Sequence, residues 1–166
     1  PIGGAVGFCY TIRISADAGP SYFPHFPFTY DKNNLPACRN NIRNSLTRLT
    51  AHNRWWVNDP DCMLIRENTS LTYDEVIGVA TVVGMSGGSM LLSDRLDNLS
   101  ASRLQIAQRL LPVTGCGAIP VDVFQSETPE VLYVSHHNSC GNWTLLAICN
   151  WSDYAKVCYP MLHRIN

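Results

Sequence analysis

The stretch Ile12-Arg13-Ile14-Ser15-Ala16-Asp17, followed at once by Ala18-Gly19-Pro20, decides how the chain is read. Phe8, Tyr10, Ile12 and Ile14 share one parity and Thr11 and Arg13 the other, which predicts a strand running to Ile14. Pro20 has no amide hydrogen for a ladder and restricts its neighbour, so the strand stops there. An acid, Asp17, is thereby delivered at the carboxyl end of a strand, four residues after an arginine. In barrels and open α/β sheets that end of the strand is where chemistry is assembled. The plainer alternative is a surface aspartate and arginine flanking a turn.

Pro1 to Gly7 forms a glycine-rich lead into this strand, and the stretch after it is equally distinctive. Between residues 20 and 36 stand four prolines and the rings of Tyr22, Phe23, Phe26, Phe28 and Tyr30. That composition predicts an ordered loop, and long loops inside compact domains are usually functional. Pro36 to His52 reads as a helix, with Ile42, Leu46 and Leu49 on one stripe and arginines and asparagines on a face expected to be solvated. Trp55-Trp56-Val57 reads as a short strand ending in Asn58-Asp59-Pro60-Asp61-Cys62, so acids again follow a strand at a proline turn. Such acids can also do no more than cap the turn.

Thr72-Tyr73-Asp74-Glu75 is a capping box, opening an apolar helix that Gly87-Gly88 ends before a buried strand, Ser89 to Leu92. No charge occurs from Val76 to Ser93, but the glycines and the cap argue against a membrane span. Ser100 to Leu111 is a further helix closed by Pro112. Strand and helix alternate to this point, the signature of parallel β/α units. Beyond it, Ile119 to Phe124, Val131 to His136, Thr144 to Asn150 and Val157 to Leu162 read as strands of an antiparallel sheet.

Composition bounds the partners. The 166 residues are 46% hydrophobic and 15% charged, enough for a sizeable core. A net charge of -1 from ten arginines, two lysines and thirteen acids gives no basic face for nucleic acid and no polybasic patch for a membrane. Seven scattered cysteines are expected to be mostly buried thiols, with one disulfide open among Cys140, Cys149 and Cys158. Asn-x-Ser/Thr triplets at Asn68, Asn98, Asn142 and Asn150 lean towards secretion, yet the compartment stays open. Without an initiator methionine or a leader pattern, the start at Pro1 is expected to lie inside a longer protein.

Taken in order, the motifs are specific as a set. Pro1-Ile2-Gly3-Gly4-Ala5-Val6-Gly7 with Arg13-Ile14-Ser15-Ala16-Asp17, then Trp56-Val57-Asn58-Asp59-Pro60-Asp61-Cys62, then Ser86-Gly87-Gly88 with Leu92-Ser93-Asp94 resembles the melibiase-type α-galactosidases of glycoside hydrolase family 36. Ala147-Ile148-Cys149-Asn150-Trp151-Ser152-Asp153 is similar to the sheet domain that follows the barrel there. The resemblance implies an α/β chain: the C-terminal portion of a (β/α)8 barrel over residues 1–112, then an antiparallel β-sandwich domain over residues 113–166. It also implies a retaining glycosidase that releases terminal α-linked galactose, with two carboxyl groups about 5 Å apart. Asp17 matches the acid/base. Arg13 matches the arginine that contacts the sugar and the nucleophile, while Asp61 and Cys62 match positions lining the galactose pocket. No cofactor or metal is implied, and a homo-oligomer of the full-length protein is left open.

These roles carry physical expectations. Asp17 must start protonated, which calls for partial burial and a neighbouring carboxylate, so Arg13 is expected to face the sugar and nucleophile instead. Asp61 either accepts from sugar hydroxyls or holds Arg13 by a bidentate contact. The family's nucleophile lies in a Lys-x-Asp segment, and neither Lys32 nor Lys156 has an aspartate two residues on. A whole barrel takes about 250 residues. The chain is therefore expected to be the C-terminal piece of a longer glycosidase, inactive by itself and with open barrel edges. Competing readings are a sugar-binding module using Trp55, Trp56, Trp143 and Trp151, a galactosyl transferase of the same superfamily, and a metal site at His136, His137 and Cys140 with Cys149 or Cys158. His25, His52 and His163 read as ordinary surface or packed histidines.

Overall fold

Two parallel strand connections carry the first part of the chain, in a computed structural model that describes residues 2–25 and 32–158. Strand β1 (Thr11–Arg13) leads through helix α1 (Cys38–Thr47) to β2 (Val57–Asp59), which lies parallel to it with Arg13 opposite Asp59. After Pro60-Asp61, β3 (Cys62–Met63) continues from β2. Helix α2 (Tyr73–Ser86) then returns the chain to β4 (Leu91–Leu92), parallel to β3 with Cys62 opposite Leu91. Ser89 N donates to Asn58 O at 2.9 Å, so the approach to β4 runs along the side of β2 away from β1. Helix α3 (Ala101–Arg109) follows. Strands β5 (Ile119–Pro120), β6 (Val131–Asn138) and β7 (Gly141–Ile148) form an antiparallel sheet in that order.

Local chemistry explains the helices. Thr72 caps α2 by accepting from Glu75 N at 3.3 Å while Glu75 Oε2 accepts from Thr72 N at 2.7 Å, an arrangement that contributes about 1 kcal/mol. Gly87 ends the helix in the left-handed region at φ +68°. Ser100 caps α3 by accepting from Arg103 N at 3.4 Å. The apolar faces converge on one cluster: Ile42, Leu46 and Leu49 near α1, Val76, Val79, Val82 and Val83 of α2, Met63 and Ile65, and Leu132 and Val134 of β6. No helix among the described residues is long and apolar enough to cross a membrane.

Several expectations are corrected. The first strand does not begin near Phe8: residues Ile2–Ala5 form a 3-10 helix, and Phe8 and Tyr10 are 87% and 94% exposed. The second strand starts at Val57, not Trp55, because its register follows Thr11 to Arg13. The asparagine face of α1 is not solvated; Asn40, Asn41 and Asn44 are all buried. Strand β5 ends at Pro120, short of Phe124. A second sheet facing β5–β6–β7 is not among the described residues, and most of the strand expected at Val157 to Leu162, with Phe26, Phe28, Tyr30 and His163, lies outside them.

One further clamp joins the strand ends. The fully buried Asp94 carboxylate accepts from Ile65 N at 2.6 Å, Arg66 N at 3.1 Å and Arg66 Nη1 at 2.7 Å. Asp94→Ala should strand two backbone donors and cost about 3 kcal/mol, read as a lower urea midpoint at unchanged slope. A midpoint within error of wild type would show that water replaces the carboxylate.

Candidate functional site

Ile14 anchors the site by leaving the sheet at a fixed place. Its amide donates to Asp59 O at 2.9 Å and its side chain is fully buried against Ala51 and Trp56. The Arg48 guanidinium donates to Ile14 O from the end of α1. From there Ser15 and Ala16 turn the chain towards Asp17, whose carbonyl accepts from Ala37 N at 3.2 Å, just ahead of α1. On the neighbouring strand, Pro60 fixes the backbone and Asp59 Oδ1 accepts from Asp61 N at 2.9 Å. Asp61 itself sits in the left-handed region at φ +73°, a conformation unusual for a residue with a Cβ.

These two turns bring the expected residues together. Arg13 Nη1 lies 2.6 Å from Asp17 Oδ1 and Arg13 Nη2 lies 2.8 Å from Asp61 Oδ1. One guanidinium thus bridges two carboxylates at the ends of adjacent parallel strands. Asp61 is 8% exposed, and its Oδ2 accepts from Ala18 N at 2.7 Å, so both its oxygens are engaged on the Asp17 side of the site. Asp17 and Arg13 are 64% and 45% exposed. An ion pair that open contributes no more than about 1 kcal/mol, so the Asp17 contact orients more than it stabilises.

This geometry corrects the expectation for Arg13. It does not turn away from Asp17 but holds it, and the Asp17 side chain is exposed rather than partly buried. Asp61 grips Arg13 through one oxygen rather than bidentately. Half-buried Cys62 lies next to Asp61, and its thiol is pushed up first by burial and then by the Asp61 charge, with Ser93 hydrogen-bonded beside it.

Sequence reasoning missed Asn41. Its Nδ2 donates to Ser15 Oγ at 3.0 Å, Ala16 O at 3.2 Å and Pro60 O at 2.8 Å. The available signal was the crowding of Asn40, Asn41 and Asn44 inside a helix, where asparagine is unfavourable unless a partner calls for it. His52 is a packed histidine, one of the two readings given for it. It is buried, with Nδ1 accepting from Asn58 N at 3.2 Å, which makes Nε2 the proton-bearing nitrogen 3.1 Å from Gly115 O.

The remaining candidates stay apart from this site. A cleft of about 710 Å³ lies between α2 and the segment after β7, lined by Tyr22, Glu75, Thr81, Trp151 and Asp153. Among the described residues no group of histidine, cysteine and acids is arranged to hold a metal; His136 instead stacks on Trp143 at 4.0 Å between ring centres. All seven cysteines are free, including Cys140, Cys149 and Cys158. Burial pushes the Cys38 thiol up to about 12, with Glu75 adding to it, and pushes Cys149 up to about 11 with Asp122 and Glu130. Iodoacetamide at pH 8 should therefore label exposed Cys9 and Cys140 and spare Cys38, as peptide mass mapping would show. Because the folded chain holds these protons more tightly than the unfolded one, stability should fall as pH rises from about 9 towards 12. Rapid labelling of Cys38 would mean that the core around α1 opens.

The fold is matched in solved structures. The α-galactosidase of Thermus thermophilus, in complex with p-nitrophenyl α-D-galactopyranoside, superposes with a TM-score of 0.61 at 18% identity, over 81% of this chain and 26% of that one. α-Galactosidase I of Mortierella vinacea gives a TM-score of 0.56 at 16% identity, over 81% of this chain and 36% of that one. No model of a known protein family matches. At these identities the likeness is one of fold: the chain has the α/β arrangement of part of these two structures and spans about a quarter to a third of their length.

Proposed function

We propose that this chain carries the acid/base half of the active site of a retaining glycosidase for terminal α-linked galactose. The observation that carries the reading is the Arg13 guanidinium joined to both Asp17 and Asp61 at the ends of adjacent parallel strands. Residues 1–112 are then the last β/α units of a (β/α)8 barrel and residues 113–166 a C-terminal β-sheet domain of sandwich type. The nucleophile comes from a Lys-x-Asp segment outside these 166 residues, so the chain by itself turns over no substrate.

Asp17 protonates the glycosidic oxygen and afterwards takes a proton from the water that releases galactose. Arg13 has a second use. Ring hydroxyls and the nucleophile's charge compete for its guanidinium, and drawing it off Asp17 releases that carboxyl to face the glycosidic oxygen. Asp61, held in place by Arg13 and Ala18 N, is the fixed end of this exchange. Cys62 lines the pocket next to it. An alkyl galactoside and an aryl one with a good leaving group, each given to the full-length protein with and without Asp17→Asn, decide the matter. Loss concentrated on the alkyl substrate supports the assignment. Unchanged turnover overturns the assignment of Asp17, and wild-type protein that binds galactosides without cleaving them moves the sugar-binding reading ahead.

A further inference from the structure

We propose that Asn41 is a positioning residue of this site, holding the turn that ends at Asp17 and the turn that ends at Asp61 in fixed relation. The inference rests on the acid/base reading of Asp17 and deepens it. Asn41 is 1% exposed within α1, and its single amide nitrogen meets three acceptors on two different turns. Ser15 and Ala16 run directly into Asp17, and Pro60 runs directly into Asp61. Ser15 Oγ closes the ring by donating to Pro60 O at 3.0 Å. A helix side chain thus ties together the same two turns that Arg13 joins through their carboxylates.

The orientation of the amide is dictated by its partners. Turning it over would set Oδ1 against the carbonyl oxygens of Ala16 and Pro60, which have no proton to give. Two N–H bonds serve three acceptors, so one hydrogen is shared. The consequence is that Oδ1 is left buried without a hydrogen-bond partner among the described residues. Buried acceptors are nearly always satisfied, and asparagine is a poor choice inside a helix. Neither local structure nor complete hydrogen bonding accounts for this residue. The tie between the turns does.

The test pairs kinetics with amide exchange in the full-length protein. Asn41→Ala should lower kcat on methyl α-galactoside by about 10–100-fold, since a displacement near 1 Å costs that order in rate. The loss on p-nitrophenyl α-galactoside should be several-fold smaller, because protonation of the leaving group is the step most disturbed. Exchange of the Ala18 amide, which donates to Asp61, should quicken by about tenfold while that of α2 stays as in wild type. Ser15→Ala removes the two links made by Ser15 Oγ, leaves those from Asn41 to Ala16 O and Pro60 O and keeps the helix intact; it should shift the same readouts in the same direction by less.

An equal fall on both substrates, tracking a lost folded fraction, would overturn the proposal, as would unchanged Ala18 exchange in both variants. If the wild-type protein cleaves neither galactoside, the acid/base reading fails. Selective loosening of Ala18 would then still support the tie, and its absence would refute it.

Discussion

Asp17→Asn in the full-length protein should lose about 10²–10⁴-fold in turnover of alkyl α-galactosides, the range by which a positioned acid/base accelerates such steps. The amide keeps the size of the carboxyl and an oxygen for the Arg13 Nη1 contact, which spans 2.6 Å in the native site, so binding should be nearly intact. What it cannot do is deliver a proton to a poor leaving group. An aryl leaving group departs with less help, and its loss should be smaller in the galactosyl-transfer step. The limb of the pH–rate profile that reports the acid should vanish as well. Such losses correspond to about 3–5 kcal/mol of transition-state stabilisation. An ion pair as open as Asp17 with Arg13 contributes about 1 kcal/mol at most, so a change in fold stability cannot imitate them. Equal losses on both substrates would remove Asp17 from the acid/base role.

Gly88→Ala should be the most damaging single methyl in the chain. A Cβ at residue 88 would lie 1.9 Å from the Asn58 carbonyl oxygen and 2.8 Å from its carbon. Neither atom belongs to a movable side chain. Making room means parting the chain ahead of β4 from β2, and that breaks the Ser89 N to Asn58 O bond at 2.9 Å. It also disturbs the buried contacts of Asn58 with Leu49 O and the Trp56 indole. Overpacking ordinarily costs about 1–3 kcal/mol; with backbone on both sides the cost here should reach about 4 kcal/mol or more. That corresponds to a Tm lower by about 10 °C for a domain of this size. Gly3→Ala, where a Cβ meets nothing within 4 Å, is the control and should leave Tm unchanged. Matching melting curves for the two variants would show that the strands part at no cost.

What was legible in the sequence follows from where the information lies. Helix α2 could be read from residues 72–88 because its cap, apolar run and glycine stop are all local. The order of Arg13, Asp17 and Asp61 was legible too, since each stands where a strand ends. A contact of Asp61 with Arg13 was legible as one of two alternatives; the joining of all three was not. It depends on Asp61 adopting a left-handed backbone and on one guanidinium reaching two turns 43–45 residues apart in sequence. Alternation misplaced the first strand because Phe8 and Tyr10 have the right parity and no core to meet. The apolar run at Trp55-Trp56-Val57 likewise could not show which residues pair; the register with β1 settles that. The polar stripe of α1 misled most, because a solvated face and a face turned towards buried loops are written in the same residues. Only the packing of α1 against the Asp17 and Asp61 turns separates them.

The left-handed backbone of Asp61 has a bearing on how the protein would respond to selection. Glycine takes that conformation without a Cβ penalty, and asparagine takes it more readily than most residues. At residue 61 that relief is opposed by the buried contacts the carboxylate makes with Ala18 N and Arg13, so a library sorted for heat resistance would tolerate asparagine, which keeps an acceptor oxygen, and reject glycine. Heat-resistant survivors should therefore keep Asp61 or carry Asp61→Asn and lack Asp61→Gly, which sequencing of the sorted pool would check.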